Sequence, residues 1–248
     1  MRKVYVLGVL LFATSALQAA DYLFTATSST CGDVGNPLPC SASALFTVVN
    51  ANPNEFTVTL SNTLTSIRDA GQLVTDLGFT LSATTPTLFS SSGTFVNIGP
   101  TSGGGVPTVG ITGATGWGFG SNNDAVANNW LLCIICGNGV SAGGAQPSQG
   151  IIDNEAMYSS ANASIAGNGP HNPFLESGAI FTFHTSAALP TVDPFSNVMI
   201  SFGTTFGNDV SAEGGGTIID VPVPEPVSLM LAGGGLIGLA MLKRRRRQ

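Results

Sequence analysis

The sequence is poor in charge, and its few charged residues are unevenly placed. Charged residues make up 9% of the 248, and seven of the eight basic ones lie near the two ends of the chain. Residues 20–221, referred to as the body, keep Arg68 as their single basic residue against thirteen acidic ones, which leaves a net charge near −12. Because an acidic, lysine-free surface repels polyanions, nucleic acid is excluded as a partner.

The body also lacks a convincing catalytic motif. Residues 139–143 match the G-x-S-x-G pattern around Ser141, and Asp153 and either His171 or His184 follow in the order of a serine hydrolase triad. That motif requires a strand, a sharp turn and a helix, and no helical pattern follows Ser141. Because the chain contains 32 glycines, we interpret the match as coincidence and expect neither catalytic residues nor a cofactor. A secreted serine hydrolase is the remote alternative.

A cation-binding motif is missing as well. The side chains with the oxygen chemistry that Ca²⁺ prefers are Asn122, Asn123, Asp124, Asp153 and Glu155. Their spacing matches neither an EF-hand loop nor a nonapeptide repeat. We interpret them as solvated polar loops and predict no metal site.

Cysteine is scarce but even in number. Four cysteines allow three pairings, of which the simplest joins Cys31 to Cys40 and Cys133 to Cys136. The second pair forms a C-x-x-C motif inside an apolar run without a following helical pattern. A structural disulfide is therefore favoured there over redox catalysis or zinc binding.

Alternating apolar and polar residues predict short β-strands in the body. In residues 56–61, Phe56, Val58 and Leu60 alternate with hydroxyl-bearing residues, and the turn residues 50–54 predict a hairpin with residues 43–49. Further strands are predicted over residues 77–82, 94–98, 179–184, 198–202 and 217–221. The glycine-rich residues 100–120 and 137–150 are predicted to be long surface loops.

These patterns predict an all-β fold, a single antiparallel β-sandwich or jelly-roll-like domain over residues 20–221. We attribute the repeated Thr-x-Thr pairs to the strand preference of threonine; they are Thr25/Thr27, Thr57/Thr59, Thr63/Thr65 and Thr85/Thr87. The alternative function for such a fold is carbohydrate or other ligand binding, since loops of sandwiches often recognise ligands. Loss of a glycan-binding signal on replacing Trp117 or Trp130 would support that alternative.

The first 19 residues predict a secretory signal peptide. Arg2 and Lys3 precede the apolar residues 4–12, and small residues lead to a predicted cleavage site after Ala19. The apolar run is too short to span a bilayer comfortably. We therefore expect the body to be exported.

Residues 222–248 consist of three parts in a fixed order. Residues 222–226 form a proline-rich, extended strip, and residues 227–242 form an apolar run. The basic end, residues 243–248, contains Lys243, Arg244, Arg245, Arg246 and Arg247. As a helix the run spans about 24 Å, so we predict a short transmembrane helix whose cationic flank reaches the headgroups. The same cations should keep the tail in the cytoplasm and the body outside.

This order of parts resembles the PEP-CTERM sorting signal of Gram-negative bacteria. The resemblance rests on Pro224, Glu225 and Pro226, followed by a Gly-Leu-Ile-Gly-Leu stretch and the arginine run. It implies recognition of the tripeptide by exosortase, a membrane cysteine protease and transpeptidase. Such tails also go by the name ice-binding protein C-terminal domain, although nothing in this tail would bind ice.

Together these observations predict an exported, non-enzymatic protein. We expect anchoring in the inner membrane by residues 227–242 and processing by an exosortase-like enzyme. The processed protein would then reside at the cell surface or in the exopolysaccharide matrix of a biofilm. A plain tail anchor that is never processed is the alternative for the C-terminus.

Overall fold

A computed structural model describes residues 19–31, 37–49, 52–82, 84–122, 129–144 and 147–214. These residues belong to one compact unit that begins at Ala19. Residues 1–18 of the predicted signal peptide and all of residues 222–248 lie outside the described residues. Within the described ranges the one helix is a 3₁₀ turn at Ala70–Gln72, and no helix there has the length and apolar character to cross a membrane.

Twelve β-strands make up the regular structure of the described residues. They are β1 (Ala19–Cys31), β2 (Leu38–Val49), β3 (Glu55–Asn62), β4 (Val74–Leu81), β5 (Pro86–Thr101), β6 (Gly104–Gly113), β7 (Gly118–Ser121), β8 (Trp130–Cys133), β9 (Ile151–Ile152), β10 (Phe174–Thr185), β11 (Phe195–Phe202) and β12 (Asp209–Ser211). The strands predicted over residues 43–49, 56–61, 94–98, 179–184 and 198–202 are confirmed within longer strands. The strand predicted over residues 77–82 corresponds to β4, which ends one residue earlier.

The strands form one large mixed sheet. Its main path runs β1-β2-β3-β10-β9-β4-β11-β12, with β5 and β6 attached to β10 and with β8 and β7 attached to β4. Among the described strands every pairing is antiparallel except that of β9 with β10, which is parallel, so the expectation of a purely antiparallel sheet is wrong at this pair. After β12 the chain returns to β1, where Thr25 and Glu213 exchange backbone hydrogen bonds of 3.3 and 2.9 Å. The two ends of the path are therefore joined.

Strict alternation gives β3, most of β1 and β2, and the second half of β10 an inward and an outward side. Every second residue of β3, beginning with Phe56, is buried. The register carries this alternation to the neighbouring strands, because Val58 lies opposite Phe46 of β2 and Phe181 of β10, and all three side chains are fully buried. Since directly opposite residues share a face, these strands bury one continuous apolar surface.

Phenylalanine rings join distant parts of the strand path in one core. The ring centroid of Phe46 in β2 lies 4.3 Å from that of Phe195 in β11 and 5.4 Å from that of Phe79 in β4. On β10, the ring of Phe183 lies 4.9 Å from that of Phe119 in β7. Strands that are far apart along the path therefore meet through their inward sides, and the described residues form a β-rich fold around an aromatic core.

Residues 100–120, predicted to be a loop, instead contain β6 and β7. Glycine and proline are unfavourable inside strands, which is why the pattern predicts no strand here. β6 pairs with β5 at the margin of the sheet, where Pro107 is tolerated. In β7, Gly118 permits a close approach, since a Cβ there would collide with the carbonyl oxygen of Ser141. The described part of residues 137–150 contains no strand, as predicted.

The sequence patterns also do not predict β1, β8, β9 or β12. β8 is apolar throughout, and periodicity alone cannot assign such a short run to a strand. β9 and β12 have only two and three residues, too few for alternation to be recognised. The strand predicted over residues 217–221 lies outside the described residues, as do residues 50 and 51 of the predicted hairpin turn.

Replacing Phe46 with alanine should destabilise the protein strongly. Its buried ring contacts four others, those of Phe24, Phe56, Phe79 and Phe195. A Phe-to-Ala change in a core costs about 3–5 kcal/mol, which denaturant unfolding followed by tryptophan fluorescence will measure. The control is Val192→Ala, at a side chain that is 74% exposed, which should change the stability by less than about 0.5 kcal/mol. Equal stability of the two variants would contradict the described core.

Candidate functional site

The outward side of five neighbouring strands is rich in hydroxyl groups. We call it the outer face, and it is formed by the outward residues of β1, β2, β3, β10 and β5. Opposite residues give four rows, namely Asp21, Thr47, Thr57, Thr182 and Ser90; Leu23, Leu45, Thr59, Ile180 and Ser92; Thr25, Ser43, Ser61 and Gly178; and Glu55, His184 and Thr87. Strands lie about 4.8 Å apart, so the hydroxyl groups form an ordered array.

Two of the four Thr-x-Thr pairs face outward on these strands. Thr57 and Thr59 are half-buried on β3, and Thr25 and Thr27 are exposed on β1. Strand preference explains why threonine occurs in these strands. The register of the sheet, which the sequence does not reveal, places the hydroxyl groups beside those of neighbouring strands.

One aromatic ring projects from the outer face. A bulge in β5 lies opposite Thr182 and Phe183, whose partners are Ser90 and Leu88. The extra residue of the bulge is Phe89, and its side chain is 67% exposed. Because a bulge redirects side chains, Leu88 packs against the core while Phe89 and Ser90 both face solvent.

Neighbouring side chains hold Phe89 in position. Its ring stacks on that of His184, with centroids 4.1 Å apart and planes inclined by 19°. His184 Nε2 lies 3.2 Å from Glu55 Oε2, and Asn52 Nδ2 donates a hydrogen bond to the same oxygen at 3.1 Å. We call Phe89, His184, Glu55 and Asn52 the platform. Its chain of contacts supports one face of the Phe89 ring and leaves the other to solvent.

The outer face has few titratable residues although the body is strongly acidic. Of the residues in its four rows, the titratable ones are Asp21, Glu55 and His184, and the last two contact each other. The rest are hydroxyl-bearing or apolar, apart from Gly178. Such a surface favours an uncharged ligand that offers hydroxyl groups, while the negative field of the body disfavours polyanions.

The residues of the serine hydrolase alternative are not brought together. Ser141 is exposed in a loop, and no helix follows it within residues 142–144 and 147–214, which the structure describes. Asp153 is buried elsewhere. His171 Nδ1 lies 2.5 Å from the carbonyl oxygen of Ser164, whereas His184 belongs to the platform. Among the described contacts, none joins any two members of the predicted triad.

The oxygen-bearing residues considered for calcium are also dispersed. Asn122 Oδ1 accepts a hydrogen bond from Asn138 Nδ2 at 2.8 Å. Asp153 is buried and Glu155 is half-buried, while residues 123 and 124 lie outside the described ranges. Within those ranges no group of three or more His, Cys, Asp or Glu side chains is arranged to hold a metal ion.

Neither tryptophan is placed as an exposed sugar-stacking ring. Trp117 is only 4% exposed and donates a hydrogen bond from Nε1 to the carbonyl oxygen of Gln149 at 3.0 Å. Trp130 is half-buried and stacks on Phe119. Phe89 is the exposed aromatic side chain of the outer face, and it is not one of the two rings that the sequence suggests for a test of glycan binding.

The four cysteines form two disulfides. Cys31, at the end of β1, is bonded to Cys40 of β2 with a Cα–Cα distance of 5.6 Å. Cys133, the last residue of β8, is bonded to Cys136 with a Cα–Cα distance of 5.2 Å. Since Cys133 is fully buried, the C-x-x-C bond is shielded on one side by the core.

Two buried carboxyl groups lie away from the outer face. Asp76 of β4 is 1% exposed, and its Oδ2 has no hydrogen-bond partner among the described residues. Burial raises the pKa of Asp76 to about 8, against the lowering effect of a hydrogen bond from Ser201, while the charge of Asp209 adds to the rise. No sequence pattern distinguishes this aspartate from an exposed one.

Asp153 is the second buried acid. Burial raises the pKa of Asp153 to about 6, although its Oδ2 accepts a hydrogen bond from the backbone N–H of Ile67 at 3.2 Å. The hydroxyl group of Tyr158 donates to the backbone carbonyl oxygen of Asp153 at 2.9 Å. Burial by these neighbours makes Asp153 a structural residue rather than an accessible acid or base.

The sorting residues predicted at the C-terminus lie outside the described residues. Residues 222–247 match the PEP-CTERM protein-sorting motif, which confirms the resemblance seen in the sequence. This motif is recognised by exosortase and directs export and membrane-associated sorting toward the cell surface. The chain is therefore a β-rich protein that carries an exosortase sorting signal.

The same comparisons assign nothing further to the body. No other family matches residues 20–221. Neither a curated protein nor a solved structure matches the chain. Inferences about what the body does therefore depend on its own surface and core.

The stability of the protein should fall as the pH rises from 4 to 8. The folded state holds a proton on Asp76 up to a pKa of about 8, whereas the unfolded chain releases it near its ordinary pKa of 3.8. The folded state therefore binds more protons, and the free energy of unfolding decreases by up to about 1.4 kcal/mol per pH unit for one such group. Urea unfolding at several pH values measures this slope.

Two matched variants distinguish the contributions of Asp76 and Asp153 to the pH dependence of stability. Asp76→Asn should remove most of the slope between pH 6 and 8, because Asp153, with a pKa of about 6, is largely ionised there. Asp153→Asn should keep that slope and lose part of the slope between pH 4 and 6. A wild-type stability that is constant or rises between pH 6 and 8 would contradict a protonated Asp76.

Proposed function

We propose that the protein is a non-enzymatic component of the cell surface or of the surrounding exopolysaccharide matrix, delivered there by an exosortase-like enzyme. The observation that carries this proposal is the match of residues 222–247 to the PEP-CTERM protein-sorting motif. The predicted signal peptide at residues 1–19 supports it, because export of the body must precede sorting at the surface.

In this proposal residues 227–242 hold the protein in the inner membrane until it is processed. Their length and apolar character suit a short span flanked by snorkelling cations. The five cations at residues 243–247 favour a cytoplasmic tail and place the body outside. Processing near Pro224, Glu225 and Pro226 would release the body or attach it to another surface molecule.

The body acts in this proposal as a stable β-sandwich rather than as a catalyst. The contacts of Phe46 with Phe79 and Phe195 suit two layers packed through their inward sides. The dispersed positions of Ser141 and Asp153 support a role without acyl-transfer chemistry. An outer face with many hydroxyl groups and few titratable residues suits a hydrated matrix of polysaccharide.

Replacing Pro224, Glu225 and Pro226 with alanine should block processing. We expect the wild-type surface form to lack the basic tail, and the triple variant to remain in the membrane with its C-terminus intact. Intact-mass analysis of membrane and surface fractions measures both forms. The control is Pro222→Ala, which changes a proline of the same strip outside the tripeptide and should be processed as the wild type is.

Two results would contradict the proposed sorting. One is a wild-type surface form that retains residues 243–248, which would indicate a plain tail anchor. The other is equal processing of the triple variant and the wild type, which would remove the role assigned to the tripeptide.

A further inference from the structure

We propose that the platform on the outer face is a binding site for a neutral polysaccharide chain, with the exposed ring of Phe89 as its main contact. This inference rests on the proposed function, which places the body among polysaccharides. It adds a specific site and a ligand class, and purified protein can test it independently of sorting.

The exposed ring of Phe89 is the first reason to propose a glycan-binding site. A phenylalanine side chain that is 67% exposed leaves apolar surface in water at a cost of about 25 cal/mol per Å². In the same body, the rings that form the core are buried. A sugar ring presents C–H groups on its faces, and these pack against the electron-rich face of an aromatic ring. Binding would cover the free side of Phe89 without moving the protein.

The preorganisation of the ring is the second reason. The bulge in β5 turns Phe89 outward, and stacking on His184 limits its rotation. Glu55 in turn holds His184 through the 3.2 Å contact. A side chain that is ordered before binding loses less entropy when the ligand arrives. Bulges commonly redirect side chains near functional sites.

The polar groups around the ring are the third reason. Thr87 lies opposite His184, and Ser90 lies opposite Thr182. Hydroxyl groups of β5 and β10 therefore flank the platform. Glu55 offers carboxylate oxygens and Asn52 an amide. Together they supply both donors and acceptors for sugar hydroxyl groups. Sites for such ligands combine an apolar surface with a few placed polar groups.

The charge of the molecule selects an uncharged chain. The body has a net charge near −12 and no lysine, so a uronate or sulfated polymer is repelled as it approaches. The platform contains no lysine or arginine to counter this repulsion. A neutral glycan meets no such barrier.

The test uses the full-length protein purified in detergent and titrated with cellohexaose, maltohexaose and dextran by calorimetry and affinity electrophoresis. Polygalacturonate is the anionic comparison. We expect at least one neutral glycan to bind, Phe89→Ala and Phe89→Leu to weaken that binding by about tenfold, and Phe89→Trp to retain it. Met157→Ala is the control, because Met157 is 47% exposed and adjoins Tyr158, which bridges Gly105 at the far end of the β5–β6 hairpin.

Each outcome supports or overturns the assignment. Loss of binding in Phe89→Ala and Phe89→Leu, with retention in Phe89→Trp and Met157→Ala, supports it. Absence of binding to all three neutral glycans, preference for polygalacturonate, or unchanged binding in Phe89→Leu overturns it. A self-association that Phe89→Ala abolishes in sedimentation experiments would assign the ring to a second copy instead. If the purified protein binds a neutral glycan but is never sorted to the cell surface, the proposed function is refuted and the assignment of the platform is retained.

Discussion

The structure depends on the two-residue alternation of buried and outward residues in β1, β2, β3 and β10. In β3 and β10 this alternation turns Phe56, Phe181 and Phe183 inward and their neighbours outward. A slip of one residue would place phenylalanine in solvent and hydroxyl groups in the core. The same register therefore determines both the aromatic core and the outer face. With few charges available, the body depends on this burial rather than on ion pairs.

The sequence predicts the clearly alternating strands but not the very short, uniformly apolar or glycine-rich ones. β3 and β10 alternate clearly, so the pattern identifies them, whereas β6 contains Pro107 and several glycines whose strand conformation depends on pairing with β5. The bulge that exposes Phe89 is also invisible locally, because it arises from the register between two strands. The test that the sequence suggests, replacement of Trp117 or Trp130, therefore does not involve the exposed ring, and Trp117 is buried in the folded protein.

The sorting of the chain and the outer face of its body depend on different physical features. Sorting depends on a linear signal at residues 222–247, which is readable without a fold. The outer face depends on tertiary structure, because its rows combine residues from five strands. The buried carboxyl group of Asp76 connects pH to the stability of the body, and this coupling would make an exported domain more stable in mildly acidic surroundings.

Cysteine labelling of intact host cells tests most directly that an outward-facing surface of the body is displayed outside the cell. Ile180 is 50% exposed and its neighbour Ala179 is 3% exposed, and all four native cysteines are in disulfides. A membrane-impermeant maleimide should label Ile180→Cys on intact cells and should label Ala179→Cys only after denaturation. Labelling of Ile180→Cys only after lysis would contradict surface display, and equal labelling of both variants would contradict the alternation.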